Sequence, residues 1–162
     1  MTTIRLAPDF KEFLQLLNSA KIEYLLVGGY AVGYYGYPRA TGDIDIWVSS
    51  TPSNAERLIE VLRQFGFRQE SLSVDLFLKE RNVVRMGVPP VRIDLLTSVS
   101  GVSFSECYAD REQGVLDGVE VSLISLEKLK QNKLASGRAK DLGDLEYLFP
   151  VSRPDDQTGE IA

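Results

Sequence analysis

An apolar run that ends in two glycines, followed by two aspartates spaced one apart, limits what residues 25–48 can become. The segment reads LLVGGYAVGYYGYPRATGDIDIWV. Ile22 to Val27 has the length and composition of a buried strand. Gly28 and Gly29 let the chain turn sharply and let a ligand approach the backbone closely. The stretch from Tyr30 to Tyr37 reads as a short helix whose first N–H groups would face the turn, an arrangement suited to phosphate. The segment lacks both the Lys-Ser/Thr ending of a P-loop and the G-x-G-x-x-G spacing of a dinucleotide fold. Taken alone, such a turn is not specific for phosphate.

Asp43 and Asp45 sharpen the reading. Residues i and i+2 of a strand point to the same face, so both carboxylates project together while Ile44, Ile46 and Val48 face the other way. Two such carboxylates repel unless a cation lies between them; the bland alternative is a solvated edge strand with two surface acids. Asp94 lies in Val91-Arg92-Ile93-Asp94-Leu95-Leu96, where alternation places Arg92 and Asp94 on one face and Ile93 and Leu95 on the other. A carboxylate within so apolar a run needs water, a cation or a partner. Pairing this strand with the Asp43 strand, polar faces aligned, would gather three carboxylates around one cavity. Such a cluster holds two divalent ions; otherwise Asp94 marks an exposed strand end.

Composition narrows the chemistry. The chain has 162 residues, a net charge of −5, no histidine and a single cysteine, Cys107. Histidine-dependent catalysis and zinc sites using His fall away, and no internal disulfide can form. A metal here would be held by oxygen ligands, which favours Mg²⁺ or Mn²⁺. The acidic balance argues against a wide nucleic-acid-binding face. No apolar run approaches a membrane span and the N-terminus has no signal-like core, so a reducing cytoplasm is the expected setting. Cys107 reads as a half-buried structural residue and not a nucleophile.

Along the rest of the chain, Pro8-Asp9 opens a helix with Asp9 and Glu12 as a capping box and Phe10, Phe13, Leu14 and Leu17 on one face. Ser53 and Glu56 form a second capping box before the stripe Ala55, Leu58, Ile59, Leu62 and Phe65, which Gly66 ends. Strands are expected at Val74 to Leu78, Asn82 to Met86 and Val91 to Leu96. A hairpin turning at Asp117-Gly118 should pair Gln113 to Leu116 with Val119 to Ile124. Helices at Leu126 to Ala135 and Lys140 to Phe149 close the domain. The sum is an α+β (mixed α/β) domain over residues 1–149, with a central mixed sheet flanked by helices. Residues 150–162 are polar and aperiodic and read as a disordered tail.

Together, Gly28-Gly29, Asp43-x-Asp45 and Asp94 on a later strand resemble the signature of the DNA polymerase beta-like nucleotidyltransferase superfamily. The form Gly-Gly-x-Ala, then Arg39-x-Thr41-x-Asp43-Ile44-Asp45, is similar to its small minimal nucleotidyltransferases and abortive-infection toxin-like members. So is the stretch Asn132 to Leu142. The resemblance spans roughly residues 10 to 149. It implies a nucleotidyltransferase fold and transfer of an NMP from an NTP to a hydroxyl acceptor, which would be a tRNA, a protein or a small molecule. It also implies a toxin–antitoxin or phage-defence setting with a cognate toxin or antitoxin as partner. By the same resemblance Asp43, Asp45 and Asp94 ligate Mg²⁺ or Mn²⁺ and form the catalytic set, Asp94 orienting or deprotonating the attacking hydroxyl. Gly28 and Gly29 frame the triphosphate, Arg39 and Thr41, just before the acidic pair, join the nucleotide-binding set with Arg39 helping to neutralise phosphate charge, and Lys133 and Asp141 help hold the nucleotide.

Several alternatives stay open on the residues alone. Arg39 also fits a loop surface, and Lys133 and Asp141 also fit solvent-exposed charges paired along a helix. Tyr30, Tyr34, Tyr35 and Tyr37 suit either base stacking or packing of the short helix onto the sheet. Many superfamily members carry Gly-Ser where this chain has Gly28-Gly29, which removes a hydroxyl contact to phosphate. A second class of function is therefore an antitoxin-like binding module of weak or no activity. A third, an aminoglycoside-type resistance enzyme, needs a substrate-binding domain for which the chain looks too short, though a dimer could supply one.

Overall fold

The computed structural model describes residues 4–36, 42–88 and 90–148, the Tyr147 side chain excepted. Arg39, Thr41, Tyr37 and the 150–162 segment lie outside the described residues. The order is α1 (Pro8–Ser19), β1 (Tyr24–Val27), α2 (Gly28–Tyr35), β2 (Asp43–Val48), α3 (Pro52–Phe65), α4 (Asp75–Leu78), β3 (Val83–Val88) and β4 (Val91–Leu96). Then come α5 (Phe104–Ala109), β5 (Glu112–Leu116), β6 (Val119–Leu123), α6 (Leu126–Ser136) and α7 (Ala139–Leu148). This is the expected α+β class: one mixed six-stranded sheet in the order β3-β4-β2-β1-β6-β5, with helices around it.

The sheet places the site through two pairings. β2 runs antiparallel to β1, with Asp45 opposite Val27. It runs parallel to β4, so that Asp43 faces Arg92 and Asp45 faces Asp94 across the ladder. Residues opposite each other share a face, so the polar positions of both strands come out on one side. On the opposite face Ile44, Ile46, Ile93 and Leu95 are buried in the core with Phe13, Leu14, Leu17, Leu58 and Leu62 from α1 and α3. The alternation stops at Trp47, which is also buried because Phe104 of α5 meets its ring edge-on at 5.2 Å.

Chain reversals follow from residue chemistry. Gly66 ends α3 in the left-handed conformation. Asp117 and Gly118 both have positive φ, as a two-residue hairpin loop of the primed type requires. Asn54 is fully buried and ties the α1–β1 connection to the end of β2. Its Oδ1 accepts from Glu23 N, and its Nδ2 donates to the carbonyls of Glu23 and Ser49.

Four local expectations need correction. α1 is capped by Ala7 without a side-chain bond, and Pro8 holds the first position; Asp9 sits inside the first turn, where it complements the helix dipole. α3 is capped by Thr51, whose hydroxyl accepts from Asn54 N, and not by Ser53 with Glu56. Pro52 fixes this start, since a proline suits the first helical position and makes the residue before it the cap. Val74 to Leu78 is no strand. Leu76 N and Phe77 N bond to Ser73 and Val74 carbonyls, and the Asn82 side chain takes the Leu76 carbonyl, so the backbone is satisfied locally as α4. Cys107 lies on the unforeseen helix α5 and is fully buried, which pushes its thiol up to about 11.

Candidate metal and phosphate site

β2 and β4 deliver Asp43, Asp45 and Asp94 to one point. Each offers a carboxylate oxygen, and the three oxygens lie within 4.8 Å of one another. Asp94 is 4% exposed, while Asp43 and Asp45 are half-buried. Burial first, then the charges of Asp43 and Asp94, push the Asp45 carboxyl up to about 6; Lys140 and Lys133 pull the other way.

The glycine turn is part of this cluster. Gly28 follows Val27, the ladder partner of Asp45, and adopts φ 67°, a left-handed conformation. A Cβ built on it would collide with the Asp45 carboxylate. Gly28 is thus required twice: for its backbone angle, and because the carboxylate occupies the space a side chain would need.

Arg92, two residues before Asp94 and on the same face, meets the triad directly. Its Nη2 lies 3.0 Å from Asp43 Oδ2 and donates to Asp94 Oδ2 at 3.0 Å. Its Nε is also 3.0 Å from Asp94 Oδ1, but without hydrogen-bond alignment, so both of these buried atoms lack a directed partner among the described residues. The hydrogen bond to Asp94, aided by the charges of Asp94 and Asp43, raises the Arg92 pKa and keeps it charged. Arg85, on the neighbouring β3, approaches Asp94 Oδ1 at 3.7 Å and is largely exposed.

Across from the carboxylates stands a basic wall. A cleft of 630 Å³ runs between them, lined on one side by Gly28, Asp43, Asp45 and Asp94 and on the other by Lys133, Arg138 and Lys140. Lys133 is buried and forms 3.1 Å ion pairs with both Asp141 and Asp144. Asp141 is fully buried and also accepts from Ser136 Oγ at 2.6 Å and Arg138 Nε at 2.6 Å. Burial alone would raise the Asp141 pKa; the bonds from Arg138, Ser136 and Lys133 outweigh it and hold the carboxyl well below its usual range. Lys133 and Asp141 are therefore not exposed helix charges. Asp141 anchors the wall, and Arg138 and Lys140 face the cleft.

Sequence reasoning did not single out Arg92, Arg85 or Asp144. The alternation that put Arg92 on the face of Asp94 was the available signal, and Asp144 falls one helical turn after Asp141. Of the tyrosines, Tyr30, Tyr34 and Tyr35 turn out to be packing residues. Tyr30 is buried edge-on against Phe10, Tyr35 donates to the Ile124 carbonyl at 2.7 Å, and neither they nor Tyr34 line the cleft.

Three carboxylates converging within 4.8 Å, one of them bearing a buried oxygen without a directed partner, suit a hard divalent cation bound through oxygen. The basic wall suits the anion such a cation would accompany. Among the described residues no helix is long and apolar enough to cross a membrane.

No protein-family model matches the chain, and no curated protein is significantly similar to it. Among solved structures, the chain is similar to the crystal structure of an antigenic nucleotidyltransferase-like protein from Paracoccidioides brasiliensis. The two share 20% identity over 90% of this chain and 78% of that one, with a TM-score of 0.55. The likeness lies in the fold, and the fold of this chain is nucleotidyltransferase-like.

Proposed function

We propose that the protein is a divalent-metal-dependent nucleotidyltransferase, moving an NMP from an NTP to a hydroxyl acceptor with release of pyrophosphate. One observation carries the reading. On a nucleotidyltransferase-like fold, the carboxylates of Asp43, Asp45 and Asp94 converge across a 630 Å³ cleft from Lys133, Arg138 and Lys140.

When bound, Mg²⁺ or Mn²⁺ supplies charge neutralisation of the triphosphate and polarisation of the reacting phosphoryl group. Asp43, Asp45 and Asp94 would hold it. The protein's own part is positioning and electrostatics, as phosphoryl-type transfers require. Gly28 and Gly29 give phosphate close access to the backbone, and Arg138 and Lys140 face its charge. Lys133, fixed between Asp141 and Asp144, sets the position of that wall. Asp94 takes the acceptor hydroxyl and its proton.

The acceptor falls within tRNA, protein or small-molecule hydroxyls, and the chain's acidity favours the last two. We place it with the minimal and abortive-infection toxin-like nucleotidyltransferases, with a cognate toxin or antitoxin as partner. The test uses α-³²P-labelled NTPs with Mg²⁺ or Mn²⁺, offered with bulk tRNA, with protein including the chain itself, and with small hydroxyl compounds. Label should pass to one acceptor class, with equimolar pyrophosphate, and Asp45→Asn should abolish it. Absence of both products in every arm would overturn the reading.

A second reading, an antitoxin-like module that binds nucleotide without turnover, is favoured by the Arg92 contacts, which already engage two of the three carboxylates. Metal-dependent NTP binding without label transfer would select it.

A further inference from the structure

A guanidinium stands where a cation between two carboxylates would stand. Arg92 contacts Asp43 Oδ2, Asp94 Oδ2 and Asp94 Oδ1, each at 3.0 Å. These are oxygens that an ion shared by Asp43 and Asp94 would draw on. A divalent ion binds carboxylate oxygen at roughly 2.0–2.1 Å if it is Mg²⁺. Two positive groups would then compete for the same lone pairs and repel each other.

The surroundings say where the displaced guanidinium would go. Arg92 is part-exposed and lines the cleft. On β3 its ladder partner is Gly87, and the cationic Arg85, opposite Asp94, also stands at the cleft wall. With Asp43 and Asp94 engaged by metal, a phosphate lying in the cleft would offer the guanidinium a new anionic partner.

We propose that Arg92 is a displaceable counter-cation. It pairs with Asp43 and Asp94 in the metal-free protein and gives way to the divalent ion. Its freed guanidinium then takes up a phosphate of the incoming ligand. Metal and polyphosphate are thereby coupled: the ion alone must compete with Arg92, while the ion with its polyphosphate gives Arg92 a new partner. The proposal rests on the metal-site reading above.

The experiment titrates Mn²⁺ without nucleotide, following the free-ion EPR signal, for wild type, Arg92→Gln and Arg92→Lys. Arg92→Gln should bind Mn²⁺ at least about tenfold tighter than wild type, since two charge-assisted bonds no longer oppose the ion. Arg92→Lys, a point charge without the forked geometry, should fall between. Metal-free Arg92→Gln should melt below wild type and recover with saturating Mn²⁺. Adding inorganic tripolyphosphate to the Mn²⁺-bound forms should raise the melting temperature more in wild type than in Arg92→Gln.

Equal Mn²⁺ affinity in wild type and Arg92→Gln would overturn the displacement while leaving the metal site standing. An equal tripolyphosphate gain would overturn the transfer of Arg92 to phosphate. No Mn²⁺ binding to any form, with or without tripolyphosphate, would overturn the metal-site reading and the proposal with it. Should Arg92→Gln fail to fold, Arg92→Lys decides: Mn²⁺ affinity and melting unchanged from wild type would overturn the proposal.

Discussion

The two walls of the cleft each carry an ionic cluster, and they are built on opposite plans. On α6, α7 and the turn between them, Lys133 and Arg138 meet Asp141 and Asp144, so that among the described residues two cations balance two anions. On β2 and β4, the three carboxylates of Asp43, Asp45 and Asp94 converge on one bonded arginine among the described residues, Arg92, with Arg85 at longer range. The carboxyls respond accordingly: Asp141 is held well below its ordinary pKa, and Asp45 is pushed up to about 6. A balanced buried cluster costs much to disturb and fixes structure. An unbalanced one stores repulsion that a ligand cation relieves. The α6–α7 cluster has the character of a frame, and the β2–β4 cluster that of the proposed site.

Substitution should separate the two plans. The largest expected effect is on transfer activity. Asp45→Asn removes a proposed metal ligand and should lower the rate by about 10³–10⁴-fold, some 4–5.5 kcal/mol of barrier. The same change relieves like-charge repulsion, so the metal-free protein should melt at or above wild type. Single-turnover assays and chemical denaturation of both forms measure the pair of effects. A marked fall in metal-free stability would show that Asp45 is structural.

Asp141→Asn should do the reverse. It leaves the buried Lys133, and with it the exposed Arg138, short of a counter-charge, and breaking the buried Lys133–Asp141 pair should cost about 4 kcal/mol. The loss should appear in urea denaturation with or without Mg²⁺. Loss of activity at unchanged stability would instead place Asp141 among the ligand-contacting groups.

Gly28→Ala tests the seam between turn and triad. The added methyl meets the Asp45 carboxylate and the backbone there is left-handed. Strain and overpacking together should cost about 3 kcal/mol. Because Asp45 must shift, metal-induced stabilisation should fall further than in Gly29→Ala. Equal effects of the two substitutions would remove Gly28 from the site.

How much of this was legible in sequence depends on the range of the interaction. Asp43, Asp45 and Asp94 could be brought together because period-two alternation leaves a strand's polar face little choice, and the ladder register agrees. Helix starts were harder. Thr51-Pro52 outranked Ser53 and Glu56 because a proline's fixed φ overrides a side-chain motif two residues later. α4 and α5, of four and six residues, are too short for a period to declare itself, and tertiary contacts such as Asn82 to Leu76 and Phe104 to Trp47 settle them. The ion pair between Lys133 and Asp144 was hidden for a similar reason. Residues 11 apart on two helices meet only after a turn whose geometry Gly137 sets at φ 65°.

The smallest effect is the dependence of stability on pH, where the two clusters should pull in opposite directions. The Asp45 pKa is raised in the folded state. Its contribution is therefore fully present below the unfolded value near 4 and is lost as pH rises toward about 6. After allowing for screening at a half-buried carboxylate, that loss should be about 1–2 kcal/mol. The Asp141 pKa is depressed. Its contribution is present above the unfolded value and is lost as pH falls below about 4. Metal-free stability should then be greatest near pH 4 and decline on both sides. Asp45→Asn should flatten the decline between pH 4 and 6 and leave the acid limb intact, whereas Asp141→Asn should weaken the acid limb alone. Saturating Mg²⁺ should also flatten the upper decline, because an ion at the triad binds the ionised carboxylates and restores above pH 6 what repulsion removed. Denaturation midpoints from pH 3 to 8, in EDTA and in Mg²⁺, measure all of this. If the decline between pH 4 and 6 persisted in Asp45→Asn, the repulsion would have to be assigned to another group, and the contrast between a balanced frame and an unbalanced site would lose its clearest sign.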